Sequence, residues 1–296
     1  MKFSLAQDCR IGARRVNQDR IAQWQTSAAT LLAVADGLGG HLHGELAAQI
    51  AIDTLGAAFR QEAMPRLPDP AEFLQRRMGL AHVAILDEAV KQRLPETPRT
   101  CLVACVVQDG VAQWTHVGDV RLYHIRDGRI LARTRDHTLV QGLVDAGRMR
   151  EEAIGSHPER NRLLQCIGGY QAPRPEPTWV ERLAMDDIVL LCSDGFWGPL
   201  TQRQILHSLM SRPLAEAIPE LAELAEHRAG DECDNISALA LAWQEEALVA
   251  STAGAYGTRT EIKDLTATDV DFAHLSDEEV DKAVAELKNA LRKNVP

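Results

Sequence analysis

Four apolar runs in this chain meet an aspartate beside a residue that lets the backbone turn or approach closely. That punctuation restricts the fold more than any other feature. Residues 30–35, Thr-Leu-Leu-Ala-Val-Ala, deliver Asp36 and then Gly-Leu-Gly-Gly-His. Thr-His-Val-Gly leads to Asp119, and Ile-Val-Leu-Leu-Cys-Ser leads to Asp194 and a glycine. Asp234-Asn235 opens a last run that ends at Trp243. A fifth acid, Asp19, closes Arg-Arg-Val-Asn-Gln-Asp. Short apolar runs bounded by Gly and Asp read as buried strands. Carboxylates that converge at strand ends repel one another and raise each other's pKa unless a cation lies among them. Oxygen donors of this kind select hard divalent cations such as Mg2+ or Mn2+. The chain therefore reads as a strand-built site for a cluster of hard metal ions.

Further strands are expected at 3–9, 20–25, 100–108, 111–117, 121–126 and near 178–182, with hairpin turns at Asp109-Gly110 and Asp127-Gly128. Apolar residues at helical spacing predict helices from Gly44 to about Gln61 and from about Ala71 to Gln92, and again near 201–211 and 214–229. Residues 137–170 are less regular and carry two short helical patterns, 138–146 and 151–153. Strands grouped at both ends with helices between them suggest two antiparallel sheets flanked by helices. Past Trp243 the pattern changes. Residues 247–275 read as a polar linker. Residues 276–296 read as an amphipathic helix: Ser276 and Glu279 form a capping box, and Val280, Val284, Leu287 and Leu291 make one apolar stripe.

A net charge of −10 argues against nucleic acid and anionic membrane as main partners, because phosphate backbones need a positive field. It does not disfavour a phosphorylated substrate, since bound metal inverts the local charge. The N-terminal residues lack a signal-peptide core, no run reaches the length of a membrane span, and the six cysteines are scattered. These features predict a cytoplasmic protein in which Cys101 and Cys105 are buried, reduced small residues. Period two places Cys101 and Cys105 on one strand face.

The ordered set Asn-Gln-Asp, Ala-Asp-Gly-Leu-Gly-Gly-His, Val-Gly-Asp-Val-Arg, Ser-Asp-Gly and Asp-Asn resembles the bacterial form of the metal-dependent Ser/Thr protein phosphatases (PPM, or protein phosphatase 2C), from about Leu5 to Trp243. The resemblance implies an α+β fold: a central β-sandwich of two mostly antiparallel sheets flanked by helix pairs, four layers in the order αββα. It makes residues 1–246 the catalytic domain, with a flap insert at about 137–170. It implies hydrolysis of phosphoserine and phosphothreonine in proteins by a metal-activated water, with two core Mn2+ or Mg2+ ions and room for a third. Asp36 matches the acid that bridges the core ions, and the Gly37 carbonyl matches a further ligand. Asp194 and Asp234 match acids completing one ion's shell, Asp19 an acid at the other ion, and Asp119 an acid that with Asp194 holds the third. Arg14 stands where the family places its phosphate-binding arginine; a guanidinium fork fits two phosphate oxygens. His41 is expected as a loop histidine near the metals, and His137 and His157 as packing residues of the flap. Partners implied are phosphorylated proteins and a cognate Ser/Thr kinase, with a monomeric core and a C-terminal helix able to bind another protein.

Three departures from the family stand out. Gln18 lies where animal members carry an acid. Pro98-Arg99-Thr100-Cys101 replaces a common Gly-Thr-Thr, and Val120 replaces a common serine. The rival readings are a phosphoprotein-binding scaffold, which loss of Asp36, Asp194 or Asp234 would signal, and a metal nuclease, which a basic groove would signal.

Overall fold

The computed structural model describes residues 1–38 and 43–244. Strands β1 (Phe3–Arg10), β2 (Arg20–Gln25) and β3 (Ala29–Gly37) come first, followed by helices α1 (Gly44–Glu62) and α2 (Pro70–Gln92). Then come β4 (Thr100–Gln108), β5 (Val111–Val117), β6 (Arg121–Arg126), β7 (Arg129–Arg133) and α3 (Leu139–Asp145). The chain continues through β8 (Trp179–Arg182), β9 (Ile188–Cys192), α4 (Asp194–Trp197), α5 (Gln202–Ser211), α6 (Leu214–Ala229) and β10 (Ile236–Trp243).

The strands form two five-stranded sheets, ordered β1-β10-β9-β6-β7 and β2-β3-β4-β5-β8. Every strand pairing in them is antiparallel. Both faces of the inner strands are covered, which explains why the sequence shows continuous apolar runs instead of alternation. In β4, Leu102, Ala104 and Val106 pack under α1 and α2. The intervening Cys101, Val103, Cys105 and Val107 fill the space between the sheets, with Leu32 and Val34 of β3 and Leu239 and Leu241 of β10. The outer face of the other sheet packs on Phe196, Ile205, Leu209, Ile218 and Leu221 of α4, α5 and α6. The four-layer αββα sandwich expected from the sequence is the architecture observed. Each fully buried Leu, Val or Ile in these layers contributes about 1.5–3 kcal/mol.

Local signals set the helix ends. Asp69 caps α2 by accepting from the Glu72 N–H, with Pro70 at the first helical position. Thr201 and Gln204 close a capping box at α5. Two elements differ from expectation. β7 was not anticipated beyond the Asp127-Gly128 turn, and α4 was not anticipated at all. The linker 247–275, the helix 276–296 and His41 lie outside the described residues. The described fold belongs to one compact unit, Met1–Ala247.

Candidate functional site

All five aspartates emerge at one end of the sandwich. β3 carries Asp36 in register with Cys101 of β4. Asp119 sits in the β5–β6 turn after Gly118, whose φ of 102° is a left-handed conformation suited to glycine. Asp194 is the first residue of α4, directly after β9. Asp234 immediately precedes Asn235 and β10, and Asp19 immediately precedes β2. Backbone contacts at this end are close. A Cβ on Gly37 would fall 2.4 Å from the Gly44 carbonyl oxygen, and one on Gly195 would fall 2.1 Å from that of Asn235. Only glycine lets the Asp36 and Asp194 loops dock this tightly. The Asp36 carbonyl accepts a hydrogen bond from Thr100 Oγ1 at 2.8 Å, and the Gly37 N–H donates to the Gln18 carbonyl at 3.2 Å.

The carboxylates feel one another. Burial pushes Asp36 well above the ordinary carboxylate range, and Asp19, Asp194, Asp119 and Asp234 add repulsion. Asp194 is pushed up to about 7 by burial, then by Asp119 and Asp234, against a hydrogen bond with Asp36. Asp19 is likewise pushed up to about 7; burial leads, Asp194 and Asp234 add to it, and hydrogen bonds with Ser193 and Ser237 oppose it. Asp119 reaches about 6 through burial and Asp136, opposed by the Cys101 thiol and Arg121. Asp19 Oδ2 is buried with no hydrogen-bond partner in the protein. Like charges gathered this way call for a cation, and an all-oxygen donor set fits a hard divalent ion. As the side chains stand, no three acidic, histidine or cysteine side chains among the described residues converge tightly enough to ligate one ion. Asp234 instead holds a guanidinium: Arg14 Nη2 lies 2.6 Å from Asp234 Oδ2.

Arg14 reaches the site from an arch, residues 11–18, pinned by one buried side chain. Asn235 Oδ1 accepts from the Gln18 N–H at 2.8 Å, and its Nδ2 donates to the Ile11 and Val16 carbonyls at 2.8 and 3.2 Å. Arg15 is exposed on the same arch. The sequence motif contained Asn235 but gave no sign of this role. A second unforeseen group supports Asp119. Arg121 makes a bidentate pair with Asp136 at 2.8 and 2.7 Å, and its guanidinium lies 3.3 Å from the centroid of the Trp197 ring. Trp197 Nε1 donates to the Asp119 carbonyl at 3.0 Å.

The segment 137–170 packs beside this end through one isolated antiparallel bridge, Thr100 with Ile167, and folds back on itself through another, Thr138 with Leu163. His137 is buried in packing, as expected. Its Nδ1 accepts from the Gly118 N–H at 3.2 Å and its ring lies 4.6 Å from that of His116. His157 Nδ1 accepts from the Glu159 N–H within its own turn.

Residues 7–228 match the family model described as protein phosphatase 2C. The chain is 35% identical over 212 residues to the serine/threonine protein phosphatase PstP of Mycobacterium tuberculosis, a match covering 71% of this chain and 40% of that protein. It is 30% identical over 253 residues to protein phosphatase PhpP of Streptococcus pneumoniae, covering 83% of this chain and 99% of that one. Among solved structures, the PstP catalytic domain in complex with two manganese ions superposes with a TM-score of 0.69 at 29% identity, over 82% of this chain and 99% of that one.

Proposed function

The chain belongs to the protein phosphatase 2C family, and from that premise we propose that it hydrolyses phosphoserine and phosphothreonine in proteins at a divalent-metal centre. The observation that carries this reading is the set of mutually repelling carboxylates, reached by a guanidinium, at one end of the sandwich. Asp19, Asp36, Asp119, Asp194 and Asp234, with the Gly37 carbonyl, are the proposed ligands, and Mn2+ or Mg2+ the proposed ions. Such ions supply Lewis-acid polarisation of phosphoryl oxygens, activation of water at neutral pH and screening of substrate charge.

The protein's own groups divide the remaining work. The carboxylates would hold the ions, and with them positive charge, at this end of the sandwich. Arg14, paired with Asp234 in this structure, is placed to turn its fork to two phosphate oxygens and orient the ester. Asn235 keeps the arch that carries Arg14 in place. Arg121, Asp136 and Trp197 fix the backbone of Asp119. No serine, cysteine or histidine nucleophile is needed for this chemistry.

A Ser/Thr kinase is the proposed counterpart and the cytoplasm the proposed compartment; no helix among the described residues is long and apolar enough to cross a membrane. We assign residues 276–296 a recruiting role toward a protein partner, on the strength of their apolar stripe. Phosphate release from a phosphothreonine peptide tests the main reading. Mn2+ or Mg2+ should switch it on and EDTA should abolish it. Full turnover in metal-free buffer would overturn the proposal.

A further inference from the structure

The arch that carries Arg14 also carries two apolar side chains that the chemistry above does not use. Ile11 is 46% exposed and Val16 is 52% exposed. Single exposed apolar residues are ordinary on a protein surface. These two are set apart by how they are held. Asn235 Nδ2 donates to both of their carbonyls, at 2.8 and 3.2 Å, so the two ends of the arch meet on one nitrogen of a buried side chain. Between them the turn is docked on the segment that leads into β10. The Ala13 N–H donates to the Cys233 carbonyl at 3.0 Å. Gly12, at φ 58°, passes so close that a Cβ would lie 2.2 Å from the Asp234 carbonyl oxygen. The backbone is pinned, yet neither side chain belongs to any of the three apolar clusters among the described residues. Both are β-branched and therefore stiff at χ1. Stiff side chains on a fixed backbone give up little conformational entropy when something covers them.

What covers them follows from their place. Arg14 stands between Ile11 and Val16 in the chain, and its guanidinium reaches Asp234 of the site. A phosphorylated residue gripped by Arg14 brings its own polypeptide chain to the arch. Successive residues of an extended chain are about 3.3 Å apart, so side chains within about three positions of the phosphorylated one come within reach. We propose that Ile11 and Val16 form an apolar seat for the residues flanking the phosphorylated serine or threonine, a specificity element favouring protein substrates with large aliphatic side chains there. The seat rests on the phosphatase reading, since the phosphate at Arg14 is what brings the chain to it. Each of the two residues shows about half its surface, so covering both should be worth about tenfold in kcat/KM.

Two phosphothreonine peptides test the seat on the full chain with Mn2+. One has leucine at the first and third positions on either side of the phosphothreonine, the other has serine there, and they are otherwise identical. The ratio of their kcat/KM values should be about tenfold in favour of leucine. It should fall toward one when Ile11→Ser and Val16→Ser are combined. Leu131→Ser, at a half-exposed position on β7, should leave it in place. The ratio separates the seat from mere support of the arch, because displacing Arg14 slows both peptides alike. A parent ratio within about twofold of one, a ratio that survives the double substitution, or one that Leu131→Ser abolishes equally, overturns the seat. Fluorescence polarisation of the same peptides gives their Kd values without turnover. If neither peptide releases phosphate, the phosphatase reading fails. Equal Kd values for the two intact peptides then overturn the seat as well, whereas a leucine preference abolished by the double substitution upholds it.

Discussion

Asn235→Ala isolates the arch from the metal ligands. The side chain is 4% exposed and makes three hydrogen bonds, at 2.8, 2.8 and 3.2 Å, to Gln18, Ile11 and Val16. At about 1 kcal/mol net for each bond, the substitution removes roughly 3 kcal/mol that holds residues 11–18 against the start of β10. If that energy is lost from the whole fold, the melting temperature should drop by roughly 6–12 °C, given about 2–4 °C per kcal/mol for a domain of this size. If it is lost only from the arch, Arg14 no longer sits over the site. Up to about 100-fold of kcat/KM is then at stake, since 1.4 kcal/mol is a factor of ten. The loss should fall mainly on KM, because a phosphate clamp acts in ground and transition states alike. The assay is peptide phosphatase kinetics at saturating Mn2+, run beside a thermal melt and hydrogen exchange at Gln18. Asn235→Asp is the sharper control: it keeps the acceptor for the Gln18 N–H but sets an oxygen against two carbonyls, and it should be as damaging as alanine. A folded Asn235→Ala protein with kcat/KM within about twofold of the parent would refute the argument that this side chain holds the arch.

Asp36→Asn and Asp194→Asn should each cut turnover by well over tenfold, a barrier increase above about 1.4 kcal/mol. They should also shrink the rise in melting temperature on adding Mn2+, which for an intact site at 100 times Kd corresponds to about 2.7 kcal/mol; an undiminished rise would remove that residue from the ligand set. Arg14→Ala should raise KM with a smaller change in kcat, and Arg15→Ala should do little; reversed effects would mean that Arg15 serves the phosphate. At the far end of the sandwich, Asp187 is fully buried and its carboxylate binds Arg126 at 2.7 and 2.7 Å, His124 at 2.9 Å and the Ala184 N–H at 2.8 Å. Burial pushes this carboxyl up, but Arg126, His124 and the Ala184 N–H outweigh it and hold its pKa at about 2. A depressed acid stabilises the fold above its unfolded pKa, so a contribution on the order of 2 kcal/mol should be present above about pH 4 and vanish as pH falls toward 2. Asp187→Asn should flatten that part of the stability curve, measured by urea unfolding, and an unchanged acid limb would refute it.

The strands and helices that surround the site were legible because β3, β4, β9 and β10 are buried on both faces and so stand out as unbroken apolar runs. β7 escaped because Arg-Ile-Leu-Ala-Arg is an edge strand with Leu131 half exposed, which erases its alternation. α4 escaped because four residues span barely one helical turn and cannot display a helical period. The aspartates could be read because each is marked locally by a glycine or asparagine. Their supports could not. Asn235 acts on carbonyls more than 200 positions away in the chain, and Arg121 meets Trp197 only after β6 and β9 have paired. Linear spacing carries no record of such partners.

The first and last strands of the sandwich are neighbours, with Phe3 opposite Trp243 and Arg10 opposite Ile236. The ends of the domain are therefore joined only when synthesis of the domain is nearly complete. A nascent chain can release Asp19, Asp36 and Asp119 from the ribosome long before Asp194 and Asp234 exist. Until β10 slots between β1 and β9, the early acids have neither their late partners nor the arch that carries Arg14. The order of translation thus acts as a safeguard: an unfinished or prematurely terminated copy lacks the complete carboxylate cluster. Contacts this distant in the chain are also the slowest to form, so competence should arrive as the last event of folding, in one step.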